Sequence, residues 1–144
     1  MITPALTLAL ALAQPAGPAL NGTWSGTVHN CYGAECMAGF SWFEVKDGRY
    51  TGRTLAKKPG QTCLSYDPAG WTGRLYKLDR GKYFALNDGA TEGYLLTLGR
   101  DRHTASATYM GTEPGVVETN RFERGPVDVP RILQFFQPWR CSSH

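Results

Sequence analysis

The chain has 144 residues, enough for one domain with a proper core. Charged residues make up only 19%, while aromatics reach 12% and Gly and Pro number 17 and 9. That excludes a disordered chain or a coiled coil and suits many short strands joined by tight turns. The net charge of +3 is scattered in small groups such as Lys57-Lys58 and Arg100-Asp101-Arg102-His103. A nucleic-acid binder concentrates its basic residues into a footprint with stacking aromatics, so no nucleic-acid partner is expected.

In chain order, the run Ala-Leu-Thr-Leu-Ala-Leu-Ala-Leu-Ala from Ala5 to Ala13 is too short to span a bilayer. It ends in Ala11-Leu12-Ala13, a small–x–small cleavage pattern, and residues 1–13 read as a signal peptide. No Lys or Arg precedes the run, which departs from the usual leader; the alternative is a buried apolar segment in a cytosolic protein. Cleavage would leave Gln14 first, and residues 14–20, rich in Pro and Gly, read as a flexible entry segment. A secreted or periplasmic location follows. No other stretch is apolar and long enough for an integral membrane span.

Turn signals then recur: Asp47-Gly48, Pro59-Gly60, Pro68-Ala69-Gly70, Asp79-Arg80-Gly81, Asp88-Gly89, Gly99-Arg100-Asp101 and Glu113-Pro114-Gly115. Between them the pattern predicts strands at Thr23–Asn30, Phe40–Lys46, Arg49–Leu55, Trp71–Leu78, Lys82–Asn87, Gly93–Leu98, His103–Thr112 and Val116–Glu123. A short extra strand is placed near Thr62–Ser65. Trp71, Gly73 and Leu75 alternate with Thr72, Arg74 and Tyr76, as a half-buried strand requires. The expectation is an all-β domain over residues 21–125, an antiparallel up-and-down barrel of about eight strands, with a sandwich as the rival arrangement. Residues 126–144 form a tail in which Pro130–Gln137 reads as a short amphipathic helix between two prolines. Its Ile132, Leu133 and Phe136, with Trp139, are expected to cover a barrel end or seam. The sharper alternative is a partner-binding or membrane-surface element.

Four cysteines behind an export signal favour two disulfides, with three connectivities open. The favoured one has Cys31–Cys36 bracing a loop and Cys63–Cys141 tethering the tail. His29 flanks the first pair, but the spacing lacks the matching second half of a zinc site, so no metal is expected. Asn21-Gly22-Thr23 is formally an N-glycosylation sequon.

An aromatic–(Ser or Thr)–Gly triplet occurs three times, at Trp24-Ser25-Gly26, Tyr50-Thr51-Gly52 and Trp71-Thr72-Gly73. An aromatic suits a pleated surface, and a glycine inside a strand marks a bend, a bulge or a close backbone approach. Repeated, the pair describes a sheet being rolled up.

No familiar catalytic, phosphate-binding or dinucleotide motif is present, so no catalytic residue and no cofactor are expected. His29 or His103 would serve as a general base only in a cleft with a carboxylate partner. The aromatics are the stronger constellation. Trp42, Tyr50, Trp71, Tyr94 and Tyr109 come from different strands, and on closure some of them converge on a ligand pocket or simply fill the interior.

Gly22-Thr23-Trp24 on the first strand resembles the Gly-x-Trp signature of the calycin superfamily, the lipocalins and avidin-like proteins. The resemblance implies that Trp24 closes one barrel end with a late-strand arginine across its ring, here Arg121 or Arg124. The second lipocalin signature, Thr-Asp-Tyr, is absent, and no biotin-contacting pattern can be traced. The resemblance implies a fold and a general carrier role. The expectation is thus a non-enzymatic exported protein holding a small, partly apolar ligand in a barrel mouth. The alternative is an envelope interaction protein or secreted hydrolase inhibitor whose partner is a protein, contacted through surface loops such as Cys31–Gly39. A small barrel enzyme using either histidine is the weakest option.

Overall fold

The computed structural model describes residues 14–91, 93–111 and 116–142; the apolar run read as an export signal lies outside them. Ten strands are present among these residues: β1 (Gln14–Pro15), β2 (Gly22–Tyr32), β3 (Glu35–Lys46), β4 (Arg49–Lys57) and β5 (Leu64–Tyr66). They continue with β6 (Trp71–Asp79), β7 (Lys82–Asn87), β8 (Gly93–Leu98), β9 (Thr104–Met110) and β10 (Val116–Arg124). Every pairing between them is antiparallel. Strands β2, β3, β4, β6, β7, β8, β9 and β10 follow one another around a ring that closes when β10 returns to β2. The eight-stranded closed barrel expected from the turn spacing is therefore the fold, and closure leaves no edge in that ring.

Local chemistry explains where the ring turns. At Asp47-Gly48 both residues have positive φ, 50° and 81°, the pair of conformations that a two-residue turn needs between right-twisted strands. Asn21 reinforces that corner, its Oδ1 accepting from the Asp47 backbone N–H at 2.9 Å. The two remaining strands lie outside the ring. β5 pairs with Leu55–Lys57 at the end of β4, while β4's first half, Arg49–Gly52, pairs with β6. β1 adds to β6 through Gln14–Lys77 and Pro15–Tyr76.

One expectation is corrected. The segment Cys31–Gly39 is not a loop: β2 and β3 stay paired from Gly22–Val45 to Tyr32–Glu35, and only Gly33 and Ala34 turn. Cys31 and Cys36 are cross-strand partners in that hairpin and form a disulfide. The entry segment 14–20 touches the barrel through Ala16 and Leu20, while Gln14, Pro15, Gly17 and Pro18 are exposed. The Ala16 N–H donates to the Leu75 carbonyl at 3.0 Å, and a 3-10 turn at Pro18–Leu20 buries Leu20 completely.

The tail contains α1 (Val129–Phe135), whose first turn is capped by Asp128 accepting from the Arg131 N–H. A second disulfide, Cys63–Cys141, ties the tail to β5, and the Cys141 N–H donates to the Leu64 carbonyl at 2.8 Å. Both disulfides are the pairings favoured by spacing. Of the four apolar tail residues, Ile132, Leu133 and Phe136 are half-buried, whereas Trp139 is 58% exposed.

Candidate functional site

One end of the barrel is plugged. Trp24 is wholly buried there and stacks parallel to Phe43, which in turn meets Phe122 edge-on at 4.9 Å. The Arg124 guanidinium lies over the Trp24 ring, 4.5 Å from its centroid. Both side chains then grip the entry turn: Trp24 Nε1 donates to the Leu20 carbonyl at 2.9 Å and Arg124 Nη2 to the Ala19 carbonyl at 2.6 Å. Arg121, the other arginine considered for this place, is exposed. Alternation decides between them: inward Phe122 and Arg124 are two residues apart, and Arg121 falls between inward positions.

Beyond Phe43 and Phe122 the interior is not filled. A cavity of about 210 Å³ occupies the half of the barrel away from Trp24. Its three asparagines fall on two opposed walls, because β2 and β7 stand four places apart in an eight-strand ring. On one wall, Asn120 of β10 donates through Nδ2 to Asn30 Oδ1 at 2.9 Å, while its own Oδ1 accepts from the His29 backbone N–H at 3.1 Å. On the other, the Tyr50 hydroxyl donates to Asn87 Oδ1. Between them Ser41 and Thr54, partners across β3 and β4, share a hydroxyl–hydroxyl hydrogen bond of 2.7 Å. The rest of the lining is apolar, including Phe43, Trp71 and Leu75. Burial, and then the Asp88 carboxylate, hold the Tyr50 phenol above the ordinary tyrosine range, so it stays protonated as a donor.

The tyrosine–tryptophan side of the pocket is built by two of the repeated triplets. In the β4–β6 register Tyr50 faces Gly73, Thr51 faces Thr72 and Gly52 faces Trp71. A Cβ on Gly73 would overlap the Tyr50 ring, and one on Gly52 would overlap the Trp71 indole. Each ring thus lies across the other triplet's glycine, and the two rings meet edge-on at 5.6 Å. Both rings are thereby fixed in place on the β4–β6 wall, and both line the cavity.

Of the five aromatics singled out, Tyr50, Trp71 and Tyr94 line this cavity. Tyr109 pairs with Tyr94 across β8 and β9, ring centroids 6.1 Å apart, without lining it. Trp42 is on the other side of the sheet. Ser41 and Phe43 point inward, so the residue between them points outward. There Trp42 stacks on Tyr66 of β5 at 5.9 Å, and Arg140 lies over the far ring. That outer stack fastens β5 and the tail to the barrel wall. Asn30, Asn87 and Asn120 were missed by sequence reasoning. Their signal was available as polar residues at inward positions, since Asn30 shares parity with Trp24 and Val28, and Asn120 with Phe122.

Neither His29 nor His103 reaches the cavity, and both are exposed. His29 Nδ1 lies 4.0 Å from Cys31 Sγ, but that sulfur and its Cys36 partner are joined in the disulfide and are not thiolate ligands. Among the described residues no helix is long and apolar enough to cross a membrane. A scan against protein-family models finds no match, and a search of the curated proteins finds none either.

Proposed function

We propose that the protein is an exported, non-enzymatic carrier of the calycin type, which holds a small, partly apolar ligand inside the barrel. The observation that carries this reading is the cavity of about 210 Å³, plugged at the Trp24 end and lined by apolar rings with a few convergent polar groups. That mixture of surfaces is typical of small-ligand sites. An apolar cavity of about 150 Å³ accepts benzene, and drug-sized pockets begin near about 300 Å³, so the occupant is a compact molecule. The Arg124–Trp24 contact supports the calycin-type reading, and the two disulfides support an oxidising compartment. The test is tryptophan fluorescence of the purified protein against a panel of lipids, small aromatics and oligosaccharides, with native mass spectrometry of protein from its own host. A bound compound whose affinity falls in Trp71→Ala more than stability does supports the carrier. No bound compound in either experiment sinks it.

A second reading has its own observation. Phe135 and Trp139 are 66% and 58% exposed, and with Phe136 they form one aromatic cluster on the tail. Exposed aromatics gathered this way suit a protein contact, which keeps the envelope-interaction role as the alternative.

A further inference from the structure

We propose that the cavity selects an uncharged molecule built on a single ring and carrying a hydrogen-bond acceptor such as a ketone, ester or amide carbonyl; this rests on the carrier reading above. One backbone group fixes the orientation of two asparagines. The His29 N–H can only donate, so the atom of Asn120 facing it is the oxygen. Asn120 must then donate through its nitrogen, and the atom of Asn30 that receives it is again the oxygen. This chain leaves the Asn30 amino group as the end turned to the cavity. Arg124 Nε is the one sealed and unpartnered side-chain nitrogen or oxygen among the described residues, so the Asn30 amino group is not shut away from the open space. Asn87 is oriented in the same sense. Its oxygen accepts from the Tyr50 hydroxyl, which leaves its amino group as the unused end. Opposed walls of the barrel therefore both offer N–H donors.

Charge narrows the class further. No Asp, Glu, Lys, Arg or His is among the lining residues. An anion would enter without a cation to meet it, and a cation without a carboxylate, so either would lose its hydration uncompensated. A plain hydrocarbon would fit the rings but leave the buried Asn30 amino group and the half-buried Asn87 amino group without acceptors, the situation in which a hydrogen-bonding site discriminates strongly.

Four probes of nearly one shape separate these possibilities: acetophenone, ethylbenzene, benzoate and 1-phenylethylamine. Calorimetric titration of the full, disulfide-bonded protein is expected to show acetophenone binding at least tenfold more tightly than the other three. In Asn30→Asp, which keeps the side chain's shape and still accepts from Asn120, acetophenone is expected to weaken at least tenfold and the amine to gain. Should that variant fail to fold, the order of the four probes on the unaltered protein decides alone. Ethylbenzene equal to acetophenone, or benzoate or the amine ahead of it, overturns the proposal. So does failure of all four probes while a compound from the fluorescence panel binds; that result leaves the carrier reading standing. If nothing binds in either series, the carrier reading itself falls.

Discussion

The Tyr50 ring lies across the bare Cα of Gly73, its direct partner on the neighbouring strand. One turn of the pleat away, Trp71 covers Gly52 in the reciprocal sense. The β4–β6 junction, where the ring passes over β5 to close, is thus held by two rings interlocked with two glycines. Glycine is required at Gly73 for space and not for φ. The same ring that covers it supplies a cavity wall and the hydroxyl that orients Asn87.

Gly73→Ala is expected to destabilise by about 3 kcal/mol, the upper end of overpacking. The new methyl would meet the Leu86 carbonyl as well as the phenol, so a rotation of the ring alone gives no relief. Gly125→Ala is the matched comparison, because a Cβ there meets nothing within 4 Å. It should stay within about 0.5 kcal/mol of the unaltered protein. Urea melts of the two variants side by side check this, and equal effects would remove the interlock from the account.

Trp24→Ala is expected to cost about 3–5 kcal/mol, as for other large-to-small changes at fully buried positions. Its coupling to Arg124 should appear separately. A double-mutant cycle with Arg124→Ala is expected to give about 0.5–2 kcal/mol for the cation over the ring. A cycle that closes to zero would mean that Arg124 acts only through the Ala19 carbonyl.

The disulfides should contribute unequally. Cys63 and Cys141 are separated by 78 positions and Cys31 and Cys36 by 5. On the chain-entropy relation, removing the first pair by Cys63→Ala with Cys141→Ala costs about 4.5 kcal/mol, and removing the second about 2 kcal/mol. Denaturation midpoints of the two double variants provide the comparison. The reverse order would show that the hairpin bridge acts through the folded state.

Stability should fall in alkali partly through Tyr50. Its phenol is raised in the folded protein by burial first and by Asp88 second, whereas in the unfolded chain it ionises near about pH 10. The folded state therefore binds the proton more tightly. The contribution is fully present below about pH 10 and is lost as pH rises through and beyond that value. Tyr50→Phe should be less stable at neutral pH, having lost the bond to Asn87, but its stability should decline less steeply above about pH 10. Parallel slopes for the two proteins would contradict the assignment.

The sequence by itself determined the eight strands of the ring and their turns, and it favoured the disulfide pairing that forms. Asp47-Gly48 announces a tight hairpin because few other pairs accept two positive φ values. The strand alternation read at Trp71–Tyr76 is the one that the barrel uses, with Gly73 and Leu75 buried and Thr72 and Arg74 exposed. Cysteine spacing was informative because Cys31 and Cys36 need only one local hairpin to meet. Only the tertiary structure decided which face of each strand is the interior one and which strands stand opposite. Trp42 and Trp71 both sit on strands and were both candidates for the pocket, yet one clamps β5 from outside and the other lines the cavity. A single residue of register separates those outcomes, and closure of the ring selects between them. Asn30 and Asn120 lie 90 residues apart, and their hydrogen bond exists only because β10 returns to β2. The cavity is a difference between the volume enclosed by eight strands and the side chains that each sends inward. No local stretch of chain carries that difference, and so it became visible only once the barrel was closed.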